Sequence, residues 1–376
     1  MARQRNGHAP GASGRGRTIV LGLEHFIDKI GYQAAEYGRR EIDVLYLVLD
    51  KSGLSGRKAS EYGANVEVVP VPLLARIVFT LRRFWRERPE FCELYDIGRL
   101  TLVYALIARM SGARLIMILR GAELWERKNN ALRQAGLRLT LRLCDHIVAK
   151  ELNIVRDLGA IGIAEENVTF IGNCVPFPEE EPTPLASREI DILFLNSVKR
   201  WRNVDLIVRA LPIVLRECRV GRVVIAGFTH LDGTGYRMDE TAEHEVLSLI
   251  DELGLRDRVE VAGFVPHPEE YYRNAKVFVL PADIVFANYS LLEAMSHGVV
   301  PLVGDGEGAE LIVRSGENGL IVERTVEAVS AGLVALLNDP EQLERYAERA
   351  RRTIETEFSI RSWGDAIVRV REGCRA

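Results

Sequence analysis

Residues Leu280 to Ile312 read LPADIVFANYSLLEAMSHGVVPLVGDGEGAELI, an apolar run, a helical stretch, a second apolar run and a glycine-rich turn. The order is strand, loop, helix, strand, turn. The spacing predicts a helix that opens near Ser290, carries Glu293 inside its first turn and stops at Gly298, a residue type that ends helices in the left-handed conformation. The free amides at its start, around Asn288, Tyr289 and Ser290, face a loop, and together with the positive end of the macrodipole they suit a phosphate without a metal. Glu293 could then hold a ribose hydroxyl. Ser290 and Glu293 also have the S-x-x-E spacing of a capping box, in which the glutamate serves only the helix's own first amide. The local residues leave both readings open.

Working outward, apolar β-type runs alternate with amphipathic helical runs along the chain. Candidate strands before the middle are 18–22, 42–49, 66–69, 114–119, 146–149 and 168–171; those after it are 190–195, 222–226, 259–262, 277–280, 299–303 and 320–322. Strands separated by helices imply parallel pairing with right-handed crossovers, hence α/β doubly wound sheets. Between the two sets, CVPFPEEEPTPLASR (174–188) holds four prolines and three successive glutamates, a composition that continues neither element and suits an exposed linker. The expected organisation is a disordered tail over 1–17, a domain over 18–176, a linker over 177–189, a second domain over 190–357 and a C-terminal helix over 358–376 that can cross back to the first domain. In open α/β sheets ligands sit beyond the carboxyl ends of the strands, so two such sheets facing one another would enclose a cleft lined by both sets of loops.

A length of 376 residues is more than one hydrophobic core usually supports, and 47% hydrophobic with 27% charged residues describes a folded, water-soluble chain. No run has membrane-spanning length; the most apolar, Leu100 to Met110, contains Arg109 and reads as a buried helix. The first 17 residues lack the apolar core of a secretory signal. Five cysteines without C-x-x-C or disulfide-like spacing suit a reducing cytoplasm and show no zinc site. Charge is divided unevenly. Met1 to Pro176 holds 26 Lys and Arg against 19 Asp and Glu, the remainder 23 against 34, and a basic half calls for an anionic partner.

The ordered set RWRNVDLIVRALPIV (200–214), VVIAGF (223–228), RVEVAGFVPHPEEYYRNAKVFVLPA (258–282), LLEAMSHGVVPL (291–302) and GEGAELIVRSGENGLIV (306–322) resembles retaining glycosyltransferase family 4. CDHIVAKE (144–151), NVTFIGNCV (167–175) and LRGAELW (119–125) match more loosely. The resemblance implies the GT-B architecture of two facing Rossmann-like domains and transfer of a sugar from a nucleoside diphosphate to a saccharide or lipid-linked acceptor, with retention and without a metal or cofactor. It also makes Glu293 the second glutamate of the family's E-x7-E motif, a contact to the donor ribose. The first glutamate falls on Val285, which offers no carboxylate to sugar hydroxyls; Asp283 is a possible substitute.

Family members set an arginine and a lysine against the donor diphosphate. Arg202 fills the lysine position, and with the arginine position at Asn196 or Ser197, Lys199 and Arg200 are the replacements from the same loop. Fixed cations there would stabilise the charge growing on the departing diphosphate. Gly306, Gly308 and Glu310 correspond to the glycine turn beside sugar and phosphate, although turn glycines of purely structural purpose look the same. Phe264 and Val265 fall where family backbones meet the nucleobase, and a core role for either stays equally open. Arg120 stands where the family often has a histidine, either facing the cleft or paired with a local carboxylate such as Glu123, and His25, after the first strand, is equally open between site and structure. His297, in a helix's last turn, suits the dipole as a cation and reads as structural.

Leu73 to Arg88, LLARIVFTLRRFWRER, has five arginines and one glutamate with apolar residues at helical spacing. It reads as an amphipathic surface helix, either packed on its own sheet or docked peripherally on anionic membrane at the cytoplasmic face. No nucleic-acid-binding module is present. Two further readings are a nucleotide- or glycan-binding GT-B relative that lost activity with the glutamate at Val285, and an epimerase of the same architecture.

Overall fold

A computed structural model describes residues 16–24, 27–50, 59–95, 98, 100–120, 131–229, 239–286 and 288–375. It divides into two units, Met1–Ile171 with Gly364–Ala376, and Gly172–Trp363.

The sheet of the first unit contains β1 (Thr18–Leu21), β2 (Val44–Val48), β3 (Asn65–Val68), β4 (Phe91–Tyr95), β5 (Arg114–Leu119), β6 (His146–Ala149) and β7 (Val168–Phe170), in the order β3-β2-β1-β4-β5-β6-β7. Every pairing is parallel. Parallel neighbours need long crossovers, and α1 (Asp28–Arg39), α2 (Leu73–Glu87), α3 (Thr101–Met110), α4 (Ala131–Leu143) and α5 (Leu152–Ala160) lie between the strands in sequence. The central strands are buried along their whole length, which explains runs such as TIVL and VLYLV without a polar alternation.

One strand goes beyond the expectation. β4, FCELY, carries a glutamate at its centre, and Glu93 is fully buried. A charge in a central strand persists only if paired. The partner is Arg371, whose Nη2 donates to Glu93 Oε1 at 2.6 Å while Tyr37 Oη donates to the same oxygen at 2.6 Å. The Arg371 guanidinium also stacks over the rings of Tyr37 and Phe91. Burial works against its charge, yet Tyr37 and Glu93 outweigh that and its pKa is raised.

The sheet of the second unit is β10-β9-β8-β11-β12-β13, all parallel, from β8 (Ile190–Leu195), β9 (Arg222–Ala226), β10 (Val259–Ala262), β11 (Ala275–Leu280), β12 (Val300–Gly304) and β13 (Leu320–Val322). Its helices are α6 (Val204–Glu217), α7 (Glu240–Glu252), α8 (Glu269–Asn274), α9 (Tyr289–Ser296), α10 (Val326–Asn338) and α11 (Pro340–Thr353), followed by α12 (Ile360–Arg375), which runs from the second unit into the first. Strand order reverses between β8 and β11, and that switch point is where an open α/β sheet leaves a crevice for ligands.

The proline- and glutamate-rich segment expected as an exposed linker is folded onto the second unit. Leu185 is buried in its core. Arg188, also buried, donates to Thr183 O at 2.8 Å, Ala275 O at 2.6 Å, His297 O at 2.9 Å and Gly298 O at 3.0 Å. Arg351 reaches Pro178 O and Glu180 O and lies over the Phe177 ring. Prolines leave the segment's backbone without helical or sheet partners, so arginines satisfy its carbonyls instead. Of the expected tail, residues 1–15 lie outside the described residues. Among the described residues no helix is long and apolar enough to cross a membrane.

Candidate functional site

The loops after β8 and β11 meet at the switch point and are tied by hydrogen bonds. Asn196 Nδ2 donates to Asn288 Oδ1 at 3.2 Å, Asn203 Nδ2 to Pro281 O at 2.9 Å and to Asp283 Oδ1 at 2.8 Å, and the Asp283 amide to Trp201 O at 2.9 Å. The turn after β12 joins them, because the amides of Val285 and Phe286 donate to Glu307 O and that of Glu307 to Asp283 O. Three loops thus behave as one bonded surface at the amide end of α9.

That end is built differently from the capping box. Asn288 is the N-cap, its Oδ1 accepting from the Leu291 amide at 3.1 Å. Ser290 is therefore the second residue of the helix, and the S-x-x-E pair does not form a box. Glu293 lies deeper in α9, where Oε2 accepts from Tyr272 Oη at 3.1 Å. Asn288 is 5% exposed, and its Nδ2 has no acceptor among the described residues.

The cations of the β8 loop separate into two kinds. Arg200 is exposed and paired with Glu245 at 2.8 Å, its amide donating to Asp239 Oδ2 at 3.0 Å. Lys199 and Arg202 form no ion pair among the described residues; both lie against the Trp201 ring, 5.3 and 4.7 Å from its centroid. Burial lowers the pKa of each, and for Lys199 the neighbouring Arg202 adds to it. Among the described residues Arg202 Nε is buried without a partner, and Nη1 reaches Ile284 O at 3.5 Å. Two cations held by an aromatic face and not by a carboxylate keep their charge for an anion. A groove of about 920 Å³ between α6 and α7 is lined by Lys199, Arg200 and Glu245 among others, but by no residue of the α9 terminus.

Gly306 and Gly308 are accounted for by the protein's own packing. A Cβ on Gly306 would sit 2.1 Å from Ala282 O, and one on Gly308, at φ 74°, would sit 2.3 Å from Phe286 Cβ. These glycines let the β12 turn close on the β11 loop. Glu310 is exposed in the short helical turn 309–311. Val285, at the position of the family's first glutamate, is fully buried in the core. Asp283 is half exposed between Asn203 and Arg324, 3.5 Å from the latter's Nε. Tyr289 and Val265 pack partly buried against the core, whereas Phe264 is 70% exposed. Arg120 directly follows β5 in the first unit, 5.7 Å from the Tyr95 ring centroid. His25 and Glu123 lie outside the described residues. Tyr272 was not legible as a site residue, since nothing in YYRNA marks one tyrosine as facing a glutamate twenty-one positions on.

A doubly wound sheet with a cationic switch-point loop and an amide-lined helix terminus is a nucleotide-binding construction. The comparisons with known proteins give it a class. Residues 178–353 match the family model described as glycosyl transferases group 1, and residues 29–174 match the glycosyl transferase 4-like domain. The chain therefore carries both glycosyltransferase domains, on a GT-B fold. In structure it is similar to HepE from Anabaena in complex with UDP (TM-score 0.75, 14% identity, 95% of this chain and 99% of that one) and to a glycosyltransferase from Rickettsia africae (TM-score 0.74, 14% identity, 96% and 98%). In sequence it is 28% identical over 180 residues to an alpha-D-kanosaminyltransferase from Streptomyces kanamyceticus, and 26% identical over 156 residues to D-inositol 3-phosphate glycosyltransferase 1 from Catenulispora acidiphila. The first match takes in 47% of this chain and 44% of the relative, the second 40% and 37%, so the chain spans less than half the length of these curated relatives.

Proposed function

We propose that the protein transfers a hexose-type sugar from a nucleoside diphosphate sugar to a saccharide or lipid-linked acceptor, with retention of configuration and without a metal ion. The observation that carries this reading is the pair of buried, unpartnered donors, Asn288 Nδ2 and Arg202 Nε. A buried donor without an acceptor costs about 1–3 kcal/mol, and an oxyanion of a bound diphosphate satisfies both. In the reaction the bond between anomeric carbon and diphosphate oxygen breaks, the acceptor's hydroxyl oxygen bonds to that carbon, its proton passes to the departing diphosphate, and the leaving group gains negative charge. Arg202, Lys199 and the positive end of the α9 dipole oppose that charge without rearrangement. Glu293 accepts hydrogen bonds from the ribose. Asp283, the exposed carboxylate of the β11 loop, is the candidate to read the sugar in place of the buried Val285. The similar proteins support the class: a kanosaminyltransferase, an inositol phosphate glycosyltransferase, and HepE solved with UDP and glucose. The non-catalytic alternative has no support beyond Val285 itself.

Thermal shift against UDP, GDP, ADP and their sugars tests it. A ligand that binds only the folded form raises Tm, by about 2.7 kcal/mol of added stability at a hundredfold excess over Kd. At least one nucleotide is expected to raise Tm, with Glu293→Ala abolishing the shift; indifference to all of them would sink the proposal.

A second observation bears on the acceptor side. On α2, Leu74, Val78, Leu81 and Trp85 recur at helical spacing, and all four are exposed, Leu74 by 77% and Trp85 by 85%. Arg82, Arg86 and Arg88 are exposed beside them. Arg76 and Arg83 are engaged internally, with the carbonyls of Pro70 and Val71 and with Glu67 and Glu87. An apolar stripe flanked by exposed cations suits the interface of an anionic bilayer and supports the reading of a peripheral enzyme at the cytoplasmic face, where a lipid-linked acceptor would reside.

A further inference from the structure

Tyr272 lies on α8 and is 1% exposed. Its ring is fixed from two sides, edge-on to Phe278 of β11 (centroids 6.4 Å apart, planes at 63°) and stacked on His297 just beyond α9 (6.0 Å, 27°). From that fixed ring the hydroxyl donates to Glu293 Oε2 at 3.1 Å. Burial first, and the Glu293 charge second, raise the phenol's pKa well above its ordinary value, so the oxygen remains protonated and a donor.

We propose that Tyr272 is a positioning residue that sets the Glu293 carboxylate for the ribose diol of the donor nucleotide. The proposal rests on the reading of Glu293 as the ribose contact. A glutamate side chain turns about three bonds, and holding it still on ligand arrival costs conformational entropy. A rigid phenol removes much of that freedom beforehand. A carboxylate offers about four acceptor sites, so the bond from Tyr272 leaves capacity for vicinal hydroxyls. The geometry also links base-independent recognition to the core: the same tyrosine packs on β11, the strand whose loop carries Asp283.

Tyr272→Phe keeps the ring and both ring contacts and deletes one O–H. Isothermal titration with UDP, GDP and ADP, and with the 2′-deoxy counterpart of each that binds, reads the consequence. The ribonucleotide is expected to bind about five- to tenfold more weakly to Tyr272→Phe, a loss of one hydrogen bond to a charged group, while the 2′-deoxynucleotide changes by less than about twofold. Tm is expected to stay close to that of the parent. Equal weakening of both nucleotides would mark a merely structural tyrosine, and unchanged binding of both would overturn the proposal outright. Glu293→Ala separates the two layers. If it leaves the preference for ribose intact, the ribose reading falls and the proposal with it; if it erases that preference while Tyr272→Phe does not, only the role of Tyr272 falls. Failure of all three nucleotides to bind the parent protein overturns both.

Discussion

His297 shows how one position acquires a role that its place in the sequence misstates. A histidine in the last turn of a helix suits the dipole as a cation, but here the carbonyls at that end are already served by arginines, Ser296 O by Arg351 at 2.7 Å and those of His297 and Gly298 by Arg188. Burial, with Arg273, Arg351 and Arg188 adding to it, pushes the His297 imidazole down to about 4. The unfolded value is near 6.5, so the unfolded chain binds the extra proton first. The stability His297 contributes is complete above about pH 6.5 and is lost as pH falls through 4. Urea titrations at a series of pH values are expected to show this decline in the parent and a flatter one in His297→Gln. The same scale explains the ambiguity at Glu293. Ser290 and Glu293 have the spacing of a box, and only the N-cap position of Asn288, two residues earlier, decides against it.

Among elements, those whose signal is local were readable. Apolar runs alternating with amphipathic stretches give both parallel sheets, whereas the strand order, with its switch point between β8 and β11, shows only in the structure. β4 was hidden because its central Glu93 breaks the apolar run and its counter-ion lies 278 positions away. The segment after Pro176 reads as an open connector because its anchors, Arg188 and Arg351, are single residues whose targets are backbone carbonyls, invisible in a composition. α2 was legible as amphipathic, but which face meets the sheet was not: Thr80 and Phe84 are buried and Trp85 is not. If that outer face meets lipid, the protein should co-sediment with vesicles containing phosphatidylglycerol and much less with phosphatidylcholine alone. Leu74→Ser with Trp85→Ser should reduce binding at least tenfold without lowering Tm. Equal recovery with both lipids, or no effect of the double substitution, would remove the membrane from the account.

For the molecule as a whole, the division into two units is not a division of the chain into two segments. The stretch from Gly364 onward counts with the first unit, joined to it by Arg371 to Glu93, by Arg375 to Glu90 at 2.6 Å and by Asp365 to Arg40 at 2.7 Å. The buried pair matters most, because it cannot be halved. Arg371→Met leaves an uncompensated carboxylate in the centre of a sheet and is expected to destabilise the first unit by about 3–5 kcal/mol, whereas adding Glu93→Leu recovers most of the loss. Chemical denaturation of the single and double variants reads this directly; a double variant as unstable as the single would mean that the helix, and not the charge, is what the sheet requires.

The same return of the chain orders events at the ribosome. Domains generally form as they emerge, at about 5 to 20 residues per second, yet the strands of the first sheet are complete by Ile171 and their last helix begins contributing at Gly364. The nascent sheet must therefore wait on the order of ten to forty seconds with Glu93 lacking its guanidinium, while the second unit is translated in full. Synthesis runs from one end to the other, but the first unit to start is the last to finish.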